Sequence, residues 1–272
     1  MLNNHTGILN KYNYHDPETS KMFMSWSLFK MLAPAFGGCE AKGMAFIRGE
    51  HKDEQTEAML LGSFVDAYMS GELTEFVAKN SSDIFTQKGE YYASFKKAEK
   101  EVFPIIDSII SNDPVIKDAL SGRKQEIITG ELFEMTWKAK IDDYQNGLVT
   151  DLKYIKELFG KEWDNFLGCY QSKIEKSGYF YQLSIYAKLA EQRTEKPHDG
   201  QLVVITKETP PDRAVIVFPH EAMATKLLTI SHHAERVKQV WKGIAEPAQC
   251  GACAYCRKVK KTSVYNYKEF EY

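Results

Sequence analysis

Thr136-Trp137-Lys138-Ala139-Lys140-Ile141-Asp142-Asp143-Tyr144-Gln145-Asn146-Gly147-Leu148-Val149-Thr150-Asp151-Leu152-Lys153-Tyr154-Ile155-Lys156 carries the strongest fold signal in the chain. Asn146-Gly147, set between two runs of alternating character, predicts a two-residue β-hairpin, because both residues tolerate positive φ. Counting outward pairs Gln145 with Leu148, Asp143 with Thr150, Asp142 with Asp151 and Lys140 with Lys153. Directly opposed residues project from one face, so two carboxylates would sit side by side with two lysines further along. Opposed like charges cost stability. A hard divalent cation such as Mg²⁺ between Asp142 and Asp151 would offset that cost. A half-solvated hairpin whose lysines neutralise its acids accounts for the same pattern.

The 272 residues can bury a substantial core. With 43% hydrophobic and 26% charged residues, the composition is that of a globular protein. No apolar run is long enough to span a bilayer, and Met1-Leu2-Asn3-Asn4-His5-Thr6-Gly7 lacks the pattern of a secretory signal. A cytoplasmic location without membrane contact is therefore expected. A net charge of −2 gives no global basic signature, although a local field can still attract nucleic acid. Three of the five cysteines fall within seven residues, which in a chain without an export signal points to metal rather than disulfides.

Outward from the hairpin, the spacing predicts an extended lead-in over 1–20 and a short helix capped by Ser25 or Ser27 and ended by Pro34. Gly37-Gly38-Cys39 reads as a loop. A helix is expected over 53–70, with Asp66 off its apolar stripe as a solvated acid, then a helix followed by a polar connection within 71–92, and further helices over 92–112 and 114–120. Three consecutive antiparallel strands are expected at 123–129, 132–142 and 148–155, with a corner at Thr129-Gly130-Glu131. Residues 157–176 read as a partly exposed helix or lid, and 178–193 as a helix placing Gln182 and Tyr186 one turn apart. A strand pair (201–207, 213–219) and a long amphipathic helix (221–243) complete an α+β or mixed α/β order with helices packed on a central, mostly antiparallel or mixed sheet.

Four stretches together resemble the PD-(D/E)XK nuclease superfamily, and within it the phage-type exonuclease VIII (RecE-like) branch. They are Ser25-Trp26-Ser27-Leu28-Phe29-Lys30 with Pro34; Leu61-Gly62-Ser63-Phe64-Val65-Asp66-Ala67; Lys140-Ile141-Asp142 with Thr150-Asp151-Leu152-Lys153; and Tyr181-Gln182-Leu183-Ser184-Ile185-Tyr186. The resemblance implies a restriction-endonuclease-like core and a Mg²⁺- or Mn²⁺-dependent deoxyribonuclease, an exonuclease on linear DNA in phage-type recombination or end processing. It also implies one nuclease domain over 1–272: a lead-in (1–55) carrying Cys39, a catalytic core (56–220), and a C-terminal helix with the cysteine cluster (221–272). Asp142 and Asp151 would anchor the metal with the Leu152 carbonyl. Lys153 would polarise the attacking water, and Gln182 and Tyr186 would contact phosphate or position the lysine. Asp66 stands where the family carries histidine and would help bind a second metal. That departure leaves open a weakened, DNA-binding or assembly protein on the same fold. Related enzymes carry an acid on the preceding strand, which makes Glu126 a further candidate. Partners implied are double-stranded DNA ends or a single strand, a single-strand annealing protein, and further copies in an oligomer.

Cys250-Gly251-Ala252-Cys253-Ala254-Tyr255-Cys256, with Cys39 as a fourth ligand, suits an iron–sulfur cluster better than the usual paired zinc motif. It resembles the iron staple of AddB-type nucleases, whose [4Fe–4S] cluster ties the chain ends together. The last two cysteines stand closer than in those relatives, which keeps Zn²⁺ open, and a metal-cluster interaction module with salt-bridged hairpin acids is a third reading. Cys169 is expected to be a packed core residue.

Overall fold

The computed structural model describes residues 9–52, 55–164, 168–264 and 266–270. Expectations for residues 1–8, 53–54 and 165–167 lie outside them. The helices before the sheet are α1 (Pro17–Met22), α2 (Trp26–Leu32), α3 (Glu40–Ile47), α4 (Glu57–Met69), α5 (Leu73–Lys79), α6 (Ser81–Ile84), α7 (Ala93–Lys97), α8 (Phe103–Asn112) and α9 (Pro114–Ala119). Strands β1 (Arg123–Leu132), β2 (Met135–Gln145) and β3 (Leu148–Ile155) follow, then a hairpin of β4 (Lys161–Asp164) and β5 (Cys169–Ser172). The chain continues through α10 (Lys173–Ser177), α11 (Tyr179–Thr194), β6 (Asp199–Thr206), β7 (Arg213–Phe218), α12 (His220–Trp241) and α13 (Ala254–Val259).

The sheet runs β1-β2-β3-β6-β7, with β3 and β6 parallel and the other neighbours antiparallel. A parallel neighbour requires a crossover, which α11 supplies by packing across β1, β2, β3 and β6. The main core lies there, with Trp137, Ile141, Leu183, Leu189 and Leu202 enclosed and α12 covering α11. On the other face α4 and α8 gather Phe64, Phe95 and Ile106. The mixed α/β architecture is the expected one.

Several local expectations change. The 146–147 hairpin forms with the expected Gln145–Leu148 and Asp143–Thr150 pairs. Gly147 alone takes positive φ (83°) in the turn, the sign pattern of a type II turn. The β1–β2 corner lies at Phe133-Glu134, both at positive φ, and not at 129–131. Gly130 sits inside β1 because α11 presses on it, a Cβ there meeting Gln192 Oε1 at 2.3 Å. Where a partly exposed helix or lid is expected over 157–176, the described residues hold the paired strands β4 and β5 and the short α10, with Trp163 and Tyr170 exposed. Cys169 is exposed on β5, not packed in the core. Cys39 opens a buried helix, α3, that the loop reading did not anticipate.

Candidate active site

Beyond Asp143–Thr150, β2 and β3 separate. Met24 fills part of the gap, its N–H and C=O bonded to Thr136 and Lys138. Ile141 and Tyr144 both enter the main core although they are three residues apart, so strand alternation breaks at Asp142-Asp143. Asp142 therefore reaches into the seam, where its Oδ2 accepts from Leu152 N (2.8 Å) and its Oδ1 from Gln125 Nε2 (3.1 Å). A residue's N–H and C=O leave a strand on the same side, so the Leu152 carbonyl faces this seam too.

Asp151 is enclosed, with 1% exposure. Its Oδ1 accepts from Lys153 Nζ (2.8 Å) and Gln182 Nε2 (2.9 Å), while its buried Oδ2 has no partner. Gln182 Nε2 also lies 2.7 Å from the Tyr186 hydroxyl, so the spacing on α11 becomes a relay from the helix to the acid. Burial raises the Asp151 carboxyl to about 7; the Asp142 carboxyl within hydrogen-bonding reach adds to the shift and Lys153 opposes it. Burial would lower Lys153, yet Asp151, Asp142 and Asp66 together hold it above its ordinary value. Both partners rise, Asp151 because burial outweighs Lys153 and Lys153 because its carboxylates outweigh burial. Lys153 lies 4.0 Å from Asp142.

Not every expected residue joins the seam in the expected role. Lys140 turns to Glu72 (2.7 and 2.9 Å) and His15 (3.2 Å) and does not neutralise the hairpin acids. Glu126 is held by Arg193 (2.8 Å) and Arg123 (3.5 Å). Asp66 is exposed on α4; desolvation raises its carboxyl, with Lys153 and Lys207 opposing and Asp142 reinforcing. Among the described residues, Asp66, Asp142 and Asp151 do not form a three-ligand metal group.

A cavity of about 350 Å³ opens beside Asp142, Asp151, Lys153, Gln182 and Tyr186. Ser25 to Leu28 and Met31 of the α2 segment, with Phe46 of α3, form its other wall. His15 and Lys138 also line it and were not singled out from sequence. Burial, with Lys140 adding to it, pushes His15 down to about 4. Burial likewise pushes Lys138 down to about 8, its ammonium donating to Tyr14 O and Thr19 Oγ1 (both 2.6 Å). Gln125, which falls across from Asp142 between the Lys124–Asp143 and Glu126–Ile141 pairs, was also missed, the corner between the first two strands having been expected at 129–131.

The residues at the seam fit a hard cation. They offer carboxylate oxygens and a backbone carbonyl, and one buried carboxylate oxygen lacks any donor.

The four cysteines meet at the far side of α3. Their Sγ atoms lie within 4.8 Å of one another, with Cys39–Cys256 at 3.5 Å and Cys250–Cys256 at 3.8 Å. Cys253 N and Cys256 N point at the sulfurs three residues before them (3.3 and 3.4 Å). The backbone N–H groups of Cys253 and Ala252 pull the Cys250 thiol down to about 6, favouring the thiolate a metal requires.

Residues 25–259 match a family model described as a PDDEXK-like domain of unknown function (DUF3799). A solved structure from Eubacterium rectale, provisionally named an exonuclease, is 34% identical, with a TM-score of 0.84 over 96% of this chain and 97% of that one. No curated protein matches the chain. The five-stranded mixed sheet flanked by helices is a restriction-endonuclease-like fold.

Proposed function

The chain belongs to the PDDEXK-like (DUF3799) family, and from that premise we propose that it is a divalent-metal-dependent deoxyribonuclease acting on the ends of linear DNA. The observation that carries this reading is the unpartnered Oδ2 of Asp151, buried beside Asp142 and one hydrogen bond from Lys153. The name of the Eubacterium rectale relative supports the exonucleolytic form. Phage-type recombination, with an annealing protein and further copies as partners, is the setting that the RecE-like motifs imply.

In this reading Asp142, Asp151 and the Leu152 carbonyl hold Mg²⁺ or Mn²⁺. Such an ion supplies Lewis-acid charge and an activated water for phosphodiester hydrolysis. Lys153 orients that water and offsets charge developing on the phosphoryl oxygens. Gln182, braced by Tyr186, holds Asp151 through Oδ1 and leaves Oδ2 for the ion. Lys138, Lys140 and Lys153 line the cavity together with Asp142 and Asp151. Asp66, on which the charges of Lys153 and Asp142 act, would help hold a second ion.

The cysteines serve a separate, structural metal. A single tetrahedral thiolate site with bonds of about 2.3 Å sets its sulfurs about 3.8 Å apart. The observed 3.5 and 3.8 Å support one ion, Zn²⁺, over a [4Fe–4S] cluster, in which each sulfur caps a different iron. Metal analysis after anaerobic purification tests this: one zinc per chain without a visible absorption band is expected, and about four irons with such a band would overturn it.

For the reaction, the test is digestion of linear and covalently closed circular DNA with Mg²⁺, comparing wild type with Asp151→Asn. Linear DNA should be degraded by the wild type alone and circles spared. Equal digestion by the variant would end the assignment of this site, and a protein that binds DNA ends without cutting them would favour the weakened assembly role.

A further inference from the structure

Among the described residues, three buried side-chain polar atoms have no hydrogen-bond partner: Ser94 Oγ, Asp151 Oδ2 and Gln125 Oε1. Native proteins rarely leave such atoms unpaired. Two of the three belong to side chains that touch Asp142. The carboxylate oxygen is accounted for by the ion proposed above, but the glutamine oxygen is not.

Gln125 is unusual in its backbone as well. Its φ is 54°, a left-handed conformation at a non-glycine residue in the middle of a strand. Strain of this kind persists where the surrounding structure holds it, and it concentrates at functional positions. Here it brings the amide across to β2, where Nε2 donates to Asp142 Oδ1 at 3.1 Å. With the nitrogen committed to that carboxylate, Oε1 is left as a bare acceptor.

The residue lines a second cavity of about 250 Å³, which shares only Asp142 with the larger one. Leu152, Lys124, Ser70 and Gly71 line it too. Lys124 does not fill it as a counter-charge, since its ammonium is bound to Asp143 Oδ2 (2.7 Å) and to the Leu120 carbonyl. Tyr68, Met69, Ile110 and Leu120 give the rest of the cavity's lining, so the oxygens offered there are those of the Gln125 amide, the Asp142 carboxylate and the strand backbone, hard donors of the kind a divalent cation takes together with water.

We propose that Gln125 Oε1 is a ligand to the divalent cation held on Asp142. The inference rests on the metal-site reading of Asp142 given above. It adds a residue outside the expected ligand set, and it explains both the strained strand and the unpaired oxygen.

The measurement is isothermal titration of the metal-free protein with Mn²⁺, for wild type, Gln125→Gly, Gln125→Glu and Asp151→Asn, each checked for folding by circular dichroism. Glycine accepts φ 54° freely, so Gln125→Gly removes the side chain without adding strain. It should weaken Mn²⁺ binding about tenfold or more. Gln125→Glu keeps an oxygen at the same reach while losing the donor to Asp142, and should bind at least as tightly as wild type. If Gln125→Glu loses as much affinity as Gln125→Gly, the amide only positions Asp142 and the proposal fails. It also fails if both variants bind like wild type while Asp151→Asn is impaired, which leaves the nuclease reading standing. If the wild type takes up no Mn²⁺, both readings fall together.

Discussion

At Asp151 two demands collide. The carboxyl is almost fully enclosed, yet half of its hydrogen-bonding capacity is unused. Its folded pKa is raised by burial and by Asp142, so the protonated form is the one the metal-free fold favours. The stabilisation from that proton is complete below the ordinary carboxylate pKa and is lost as pH rises toward about 7. Asp151→Asn, neutral at every pH, should therefore flatten the fall in melting temperature across that window. At pH 8 without divalent ions it should be more stable than wild type by about 1–2 kcal/mol. Urea melts at pH 5 and pH 8 would read this, and equal slopes for both proteins would refute it. The same linkage predicts that Mg²⁺ or Mn²⁺ binding releases a proton near pH 6 and almost none above pH 8, seen as a buffer-dependent binding enthalpy. Lys153→Ala should cost about 10²–10³ in kcat at saturating Mg²⁺. Asp151 and Lys153 were legible as a D-x-K beside an Asn-Gly turn, although the Asp142–Asp151 and Lys140–Lys153 pairs counted from that turn do not form. Gln125 was not, because a left-handed glutamine in a strand leaves no mark in composition or periodicity.

The elements show the same division. The segment from Gly178 to Arg193 was readable as a helix from its apolar stripe, and α11 spans Tyr179–Thr194. The β1–β2 corner was not, because Phe133 and Glu134 adopt the conformation usually left to Asn and Gly, while the nearby Gly130 answers to helix packing. Gly178 joins both kinds of constraint. It sits between α10 and α11 at φ 82°, and a Cβ there would stand 2.7 Å from Trp26 Cζ2. Trp26 is stacked on Tyr181 with ring centroids 5.4 Å apart, and Lys30 Nζ caps the Ser177 carbonyl at 2.8 Å. This junction sets where α11 begins, and hence where Gln182 meets Asp151. Gly178→Ala should cost about 2 kcal/mol or more, from the positive φ and the forced shift of Trp26 together. It should also lower kcat disproportionately to the stability lost, since Gln182 moves with the helix. A variant that is destabilised but fully active at low temperature would uncouple the junction from the site.

At the scale of the whole molecule, residues 39–41 meet the segment 246–256 behind the cleft wall. Cysteine count and spacing made the meeting of Cys39 with the C-terminal trio legible, but not the helix it anchors. Glu40, 4% exposed, accepts from Arg236 (2.6 and 2.8 Å) and from Ala248 N (2.8 Å), and Ala41 N donates back to Ala248 O (3.1 Å). These bonds lay the segment after α12 against the start of α3, where the four sulfurs converge. The other end of α3 presents Phe46 to the large cavity, beside Met31 of α2. A metal at the sulfurs would thus brace the wall that faces Asp151, although it stands apart from the carboxylates. Cys253→Ser removes one ligand and the acceptor for Cys256 N. It should empty the site and lower the melting temperature by about 5–15 °C, corresponding to about 3 kcal/mol or more in a chain of this size. DNA affinity should fall with it, and cleavage by a probe protease should appear near α3. Asp151→Asn should leave the cysteine metal and the protease pattern untouched, which separates loss of the brace from loss of the chemistry. If Cys253→Ser keeps the melting temperature and the protease resistance of wild type, the sulfurs are packing groups and the polar bonds around Glu40 hold the wall by themselves.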